Sequence, residues 1–150
     1  MPQSSTIMTM KGTYLLSIRV NETVDVKVGA LGLIRFPRGR YIYVGSALNS
    51  LEFRITRHLR TSRGEHHVTH WHIDYLLREP AVEVDSVYFT EGQERKECIF
   101  ASEVADHGTT IKGFGCSDCK CKSHLYKVED IGFIEKMGLK KWVKVSPQLP

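Results

Sequence analysis

Arg54 and His58 lie four residues apart in the run Leu51-Glu52-Phe53-Arg54-Ile55-Thr56-Arg57-His58-Leu59-Arg60, just after Tyr41-Ile42-Tyr43-Val44. A guanidinium offers a planar fork of donors matched to phosphate oxygens, and an imidazole takes or gives a proton near neutrality. At i and i+4 of a helix the two side chains share a face, with Arg57 within reach. Leu51, Ile55 and Leu59 recur at i, i+4 and i+8 and predict the buried stripe beside that face. The sequence thus describes a strand that delivers a tyrosine to the turn at Gly45-Ser46, followed by a helix that delivers a guanidinium and an imidazole. That chemistry suits a phosphate. The plainer alternative is a solvated basic helix behind a core tyrosine. Arg54, Arg57, Arg60 and Arg63 make the densest basic patch in the chain.

The elements that must hold these groups follow from periodicity. Tyr14, Leu16, Ile18 and Val20 alternate with Ser17 and Arg19, which predicts a strand over Gly12–Val20 with its second face partly covered. Val24, Val26 and Val28 alternate with Asp25 and Lys27 in a second strand, and Leu33–Phe36 is a third. Short turns between them imply antiparallel pairing. The strand from Tyr41 is expected to break at Gly45-Ser46. Beyond the central helix, Val68–Leu77 reads as a short helix stopped before Pro80, with His70 and Asp74 at i and i+4 so that the carboxylate orients the ring. Val82–Thr90 is apolar on both faces, as an interior strand would be. Glu94–Asp106 is a helix that buries Cys98, Ala101, Val104 and Ala105, closed by Gly108 as its C′ residue, with Glu97 at the margin of the buried face. A Cys-rich loop at 113–124, a strand over His124–Val128 and a helical turn over Gly132–Met137 complete the chain. The expected fold is one α/β domain of the α+β type, a mainly antiparallel sheet flanked by helices. Its parts are a tail at 1–11, the domain at 12–128 and an extension at 129–150.

With 150 residues, 41% hydrophobic and 25% charged, the chain has the size and composition of one globular domain. A net charge of +4 permits a polyanionic partner without demanding one. No apolar run reaches the ~18 residues of a membrane span. The first residues show no charged segment leading into an apolar one, so no secretory signal is expected. Four cysteines without such a signal suggest a reducing compartment, and the expected location is cytoplasmic.

The blocks Gly12-Thr13-Tyr14-Leu15-Leu16, Tyr41 to Leu48, Arg54 to Arg60 and His70 to Leu77, with the late Gly113 to Leu125, resemble the GIY-YIG nuclease superfamily. The likeness is greatest to its small stand-alone prokaryotic members of unknown function and covers about Gly12 to Tyr126. It implies a compact fold around a central antiparallel sheet and metal-dependent hydrolysis of nucleic-acid phosphodiesters, DNA foremost. By motif, Tyr14 corresponds to the first tyrosine and Tyr43 to the second, with Gly12 and Gly45 as the motif glycines. Arg54 corresponds to the helix arginine and His58 to the histidine one turn later. Glu97 is the best match to the metal-binding glutamate, for Mg²⁺ or Mn²⁺. Arg57, Arg60 and Arg63 would then attract the nucleic-acid backbone. Tyr14 and Tyr43 lie much farther apart than in the family's usual pattern, so a β-ribbon is inserted between the motifs. Pairing survives only if the strands of the two tyrosines remain neighbours. The asparagine often found after the metal glutamate has no obvious counterpart.

Cys116, Cys119, Cys121 and His124 have a density suited to structural Zn²⁺, although the step from Cys119 to Cys121 is tighter than usual finger spacing; packed, reduced thiols are the alternative. The imidazoles of His66, His67, His70 and His72 either line a nucleic-acid path or form a plain loop. Beside the endonuclease reading stand two others: a non-catalytic nucleic-acid-binding module of the same fold, and a structural-metal protein centred on the Cys/His loop.

Overall fold

The computed structural model describes residues 10–94, 96–115 and 123–142. Alternation in the sequence becomes strand where expected: β1 spans Gly12–Val20, β2 Val24–Lys27, β3 Leu33–Phe36 and β4 Gly39–Ala47. Helix α1 follows at Leu51–Ser62, then α2 at His72–Leu77, β5 at Val82–Glu91 and α3 at Glu97–Ala105. Short strands β6 (Gly108–Thr110), β7 (Leu125–Val128) and β8 (Lys140–Lys141) come later, with 3-10 turns at Gly29–Leu31 and Gly132–Met137.

Six strands form one sheet in the order β6-β7-β4-β1-β5-β8, every pair antiparallel, while β2 and β3 pair apart as a ribbon. The α+β architecture is therefore present, and the inserted ribbon leaves β1 and β4 as direct neighbours. The ribbon packs inward through Val26 and Phe36 onto the core shared with α2. The pleat sends Tyr14, Leu16, Ile18 and Val20 to one face, where Leu51 and Ile55 of α1 and Ile73, Leu76 and Leu77 of α2 cover them. Leu15, Ile42 and Val44 face the other way, against Phe100, Ala101 and Val104 of α3 and Ile134. The sheet is thus the middle of three layers.

Several elements differ from expectation. Strand β4 runs through Gly45-Ser46 to Ala47, because β1 pairs with it along that whole length. Helix α2 begins at His72 rather than Val68: the Asp74 carboxylate accepts the backbone N–H groups of His70 and Trp71 at 2.8 and 2.9 Å, which halts the helix there. That carboxylate therefore binds backbone, and does not orient the His70 ring. Helix α3 begins at Glu97 and buries Glu97, Phe100, Ala101 and Val104, with Cys98 exposed. Phe100 has the larger apolar surface to hide and takes the inner position. Gly108 opens β6 instead of capping α3; a Cβ there would strike the backbone carbonyl of Lys127 on β7. In β1, Ser17 is fully buried and accepts a hydrogen bond from Arg40 at 2.9 Å. Register shifts at Ser17/Ile18 against β5, leaving Asp85 as the extra residue of a bulge, from which it binds Arg40 at 2.6 Å.

The two ends of the domain are tied in. Lys11 accepts from Gly92 N–H at 2.9 Å and Met10 from Leu51 N–H at 2.7 Å. Residues 129–142, expected as an extension, supply the outer strand β8 and the buried Ile134. Replacing Ile134 by Ala should cost about 2–5 kcal/mol in urea unfolding, the range for a buried Ile/Leu cavity. A loss below about 0.5 kcal/mol, the range of a surface change, would show that segment to be a loose appendage.

Candidate active site

Tyr14 stands directly opposite Gly45 in the β1–β4 ladder, and Tyr43 opposite Leu16, so both tyrosines leave the same face of the sheet. The Tyr14 ring lies against the backbone of Gly45: a Cβ at that position would sit 2.6 Å from the ring's Cζ and Oη. Gly12 is equally confined, since a Cβ there would strike the carbonyl of Thr90 and lie 2.8 Å from Leu51 Cδ1. Both motif glycines serve close approach, and neither adopts positive φ.

Helix α1 is started by Ser50, whose Oγ accepts the N–H of Phe53 at 3.1 Å. That start sets a register in which Leu51, Ile55 and His58 face the sheet, while Leu59 is only half-buried. His58 was expected beside the apolar stripe; it lies within it, 1% exposed. A buried imidazole needs a partner, and Tyr14 supplies one: Oη and Nε2 are 2.6 Å apart. His58 Nδ1 has no hydrogen-bond partner among the described residues, so the ring is held through one nitrogen. Tyr43 meets the same imidazole edge-on at 6.1 Å.

Burial governs the protonation of this group. It pushes the Tyr14 hydroxyl far above the ordinary tyrosine range, against the pull of the Arg54 guanidinium. Tyr43 is raised well above that range too, by burial and then by Tyr14 and Glu97. His58 is pushed down to about 3, first by burial and then by the positive charges of Arg54 and Arg57. At neutral pH the pair is a neutral phenol on a neutral imidazole.

Arg54, one turn earlier, donates to the Ser46 carbonyl at 3.1 Å and stacks on Trp71 at 4.3 Å. Arg57 stacks on the same indole at 4.2 Å and binds Asp74 at 3.3 Å. Asp74 is fully buried, and its oxygens are satisfied by two backbone N–H groups and this guanidinium. Arg57 is therefore committed to α2, away from the free basic strip expected of it. Arg60 and Arg63 remain exposed and share Glu65, at 3.9 and 3.2 Å.

Glu97 arrives from the layer on the other side of the sheet. The start of α3 is fixed where Lys96 N–H meets Thr13 Oγ1 at 3.3 Å, and the Glu97 carboxylate turns past the end of β4. There Ser46 Oγ donates to its Oε1 at 3.1 Å, and His124 Nδ1 lies 3.8 Å from Oε2. Tyr14, Tyr43, Arg54, His58 and Glu97 all line one cavity of about 200 Å³, with Ser46, Trp71 and His124 in its wall. A liquid water occupies about 30 Å³, so the cavity has room for a phosphate-sized group and several waters. Gly115, also in the wall, is held by its N–H to His72 Nδ1 at 2.8 Å, and burial keeps His72 in its neutral, accepting form.

Four contributors were not legible as site residues. Ser46 reads as turn material and Asp74 as a helix partner of His70, His124 reads as a companion of the cysteines or the start of a strand, and nothing local marks Trp71. Cys116, Cys119 and Cys121 lie outside the described residues. No group of three or more metal-ligating side chains occurs among the described residues.

The architecture is α+β, and its six-stranded central sheet with the flanking helices brings a tyrosine pair, an arginine, a histidine and a glutamate to a common cavity. The chain belongs to the family described as domain of unknown function DUF123, whose model matches residues 13–143. No curated protein and no solved structure matches it. No helix among the described residues is long and apolar enough to cross a membrane.

The His58 environment sets a dependence on acid. The imidazole titrates near 6.5 when unfolded and about 3 when folded, so between those values the unfolded chain takes up a proton that the folded one refuses. Stability from this group is complete above about pH 6.5 and is lost as pH falls toward 3. Urea unfolding across that window should show a steeper decline for wild type than for His58→Gln. Equal slopes would show that the buried imidazole does not govern acid sensitivity.

Proposed function

We propose that this protein is a metal-dependent endonuclease that hydrolyses phosphodiester bonds of nucleic acid, DNA foremost, as its resemblance to the GIY-YIG superfamily implies, and that it works in the cytoplasm. The observation that carries the reading is the buried Tyr14–His58 hydrogen bond of 2.6 Å opening on the same cavity as Arg54 and Glu97.

Each group has a role that its surroundings permit. Arg54 is stacked on Trp71 and tethered to Ser46, so its fork is oriented before a phosphate arrives. It would meet the negative charge that grows on the phosphoryl oxygens in the transition state. Tyr14 is too weak an acid to be a phenolate at neutral pH, so it acts as a relay. Its oxygen receives a proton from the attacking water while its own proton passes to His58 Nε2. The new bond joins the water oxygen to phosphorus, and the bond to the leaving oxygen breaks with its electron pair kept on that oxygen, which takes a proton from solvent. Burial first, and then Arg54 and Arg57, disfavour an imidazolium in the free protein; a phosphate anion seated on Arg54 offsets the arginine part of that penalty. Glu97, 8% exposed and hydrogen-bonded by Ser46, fits a divalent cation: it is a carboxylate held at the cavity wall with its oxygens oriented by neighbours. When bound, such a cation supplies charge neutralisation at the scissile phosphate.

Labelled duplex and branched DNA incubated with Mg²⁺, Mn²⁺ or EDTA tests the reading. Cleavage should require the metal. It should fall on the order of a hundredfold or more in Tyr14→Phe and in Arg54→Lys, the latter because an ammonium keeps the charge and loses the fork. Near-ultraviolet circular dichroism checks that both variants are folded. A folded Tyr14→Phe protein that cleaves at the wild-type rate would refute the relay; binding without any cleavage would favour the non-catalytic module.

A further inference from the structure

Glu97 does not face the cavity alone. His124 lies in the same wall, 4% exposed, with Nδ1 3.8 Å from Glu97 Oε2, a separation too long for a hydrogen bond between the two. The backbone of His124 is pinned on both sides: its N–H donates to the Phe114 carbonyl at 2.8 Å, and its own carbonyl accepts from Val44 N–H at 2.9 Å. Val44 precedes Gly45 and Ser46 on β4, and Ser46 holds Glu97. The imidazole and the carboxylate are therefore both indexed to the end of one strand, and their separation is set by the sheet. Gly115 packs close to His124, where an added Cβ would come within 3.3 Å of the histidine's own Cβ.

We infer that His124 is a second protein ligand of the cation held by Glu97, and that this mixed nitrogen and oxygen pair selects a first-row transition ion such as Mn²⁺ over Mg²⁺. The inference rests on the reading of Glu97 as the cation-binding carboxylate. Its chemistry is general. Mg²⁺ is hard, prefers oxygen donors and sheds its waters reluctantly, whereas imidazole nitrogen binds Mn²⁺ and the later divalent ions more readily. A carboxylate alone would leave the choice of ion to supply. A buried imidazole fixed beside it biases that choice.

Mn²⁺ is the suitable probe, because its preference for oxygen and nitrogen over thiolate keeps the cysteines out of the readout. Protein labelled with ¹⁵N-histidine and loaded with Mn²⁺ should show a nitrogen-coupled signal in pulsed electron paramagnetic resonance, and His124→Ala should abolish it. Calorimetric titration should give Mn²⁺ affinity at least about tenfold above that for Mg²⁺. His124→Ala should lower Mn²⁺ affinity on the order of tenfold or more and Mg²⁺ affinity much less, and Glu97→Gln should weaken both. Mn²⁺ bound to wild type without histidine coupling overturns the assignment even if a variant fails to fold, as does unchanged Mn²⁺ affinity, or an unchanged coupling, in a folded His124→Ala protein. None of these measurements uses a nucleic acid. Mn²⁺ coupling that is lost in His124→Ala, in a protein that cleaves nothing, would uphold this site and refute the endonuclease reading alone.

Discussion

The closeness of Tyr14 to the bare backbone of Gly45 is the constraint on which the rest of the site depends. Antiparallel pairing sets these residues face to face, and a phenol ring lies where any other residue would place a Cβ. The hydroxyl is thereby delivered beneath α1, at a height where only a side chain from the helix's inner face can reach it. His58 occupies that inner position. A buried polar group without a partner costs about 1–3 kcal/mol, so phenol and imidazole each justify the burial of the other. Leu59, which local pattern would have put inward, is displaced toward the margin as a result.

Positive charge beside this pair is arranged with equal economy. Two guanidinium groups approach one indole, which raises the question of what keeps the second from competing for the phosphate position. Asp74 answers it. Its fully buried carboxylate starts α2 by accepting two backbone N–H groups and also binds Arg57. Arg57 thus becomes part of the wall that supports Trp71, while Arg54, which pairs with no carboxylate among the described residues, lines the cavity. A buried ion pair contributes little net stability once desolvation is counted. Here its value is geometric, since it separates a structural arginine from one available to an anion.

The three-layer arrangement explains how a carboxylate reaches the same place. Tyr14, Tyr43, Arg54 and His58 belong to the layer of α1 and α2, but Glu97 begins a helix on the opposite face. It arrives around the end of β4 rather than through the sheet, guided by Thr13 at the helix start and by Ser46 at the carboxylate. His124 joins it from the strand edge. The cavity therefore lies at the end of the sheet, where side chains of both faces meet.

Local sequence determined most of the elements. Alternation defined β1 and β2, apolar and β-branched runs defined β3 to β5, and the i, i+4 pattern defined α1. These were legible because a strand's faces and a helix's stripe depend on neighbours in the chain. Tyr14, Tyr43, Arg54, His58 and Glu97, picked out together by the resemblance, do share one cavity. Tertiary structure decided the rest: that His58 is buried and Leu59 is not, that Arg57 serves Asp74, that Cys98 faces outward, and that His124 lies in the same cavity wall as Glu97. The short strands β6 and β8 also exist only through the partners they pair with. In each case a side chain or strand had several sterically allowed partners along the chain. The choice among them was made by the need to satisfy buried polar groups across the sheet, between residues that no local spacing connects.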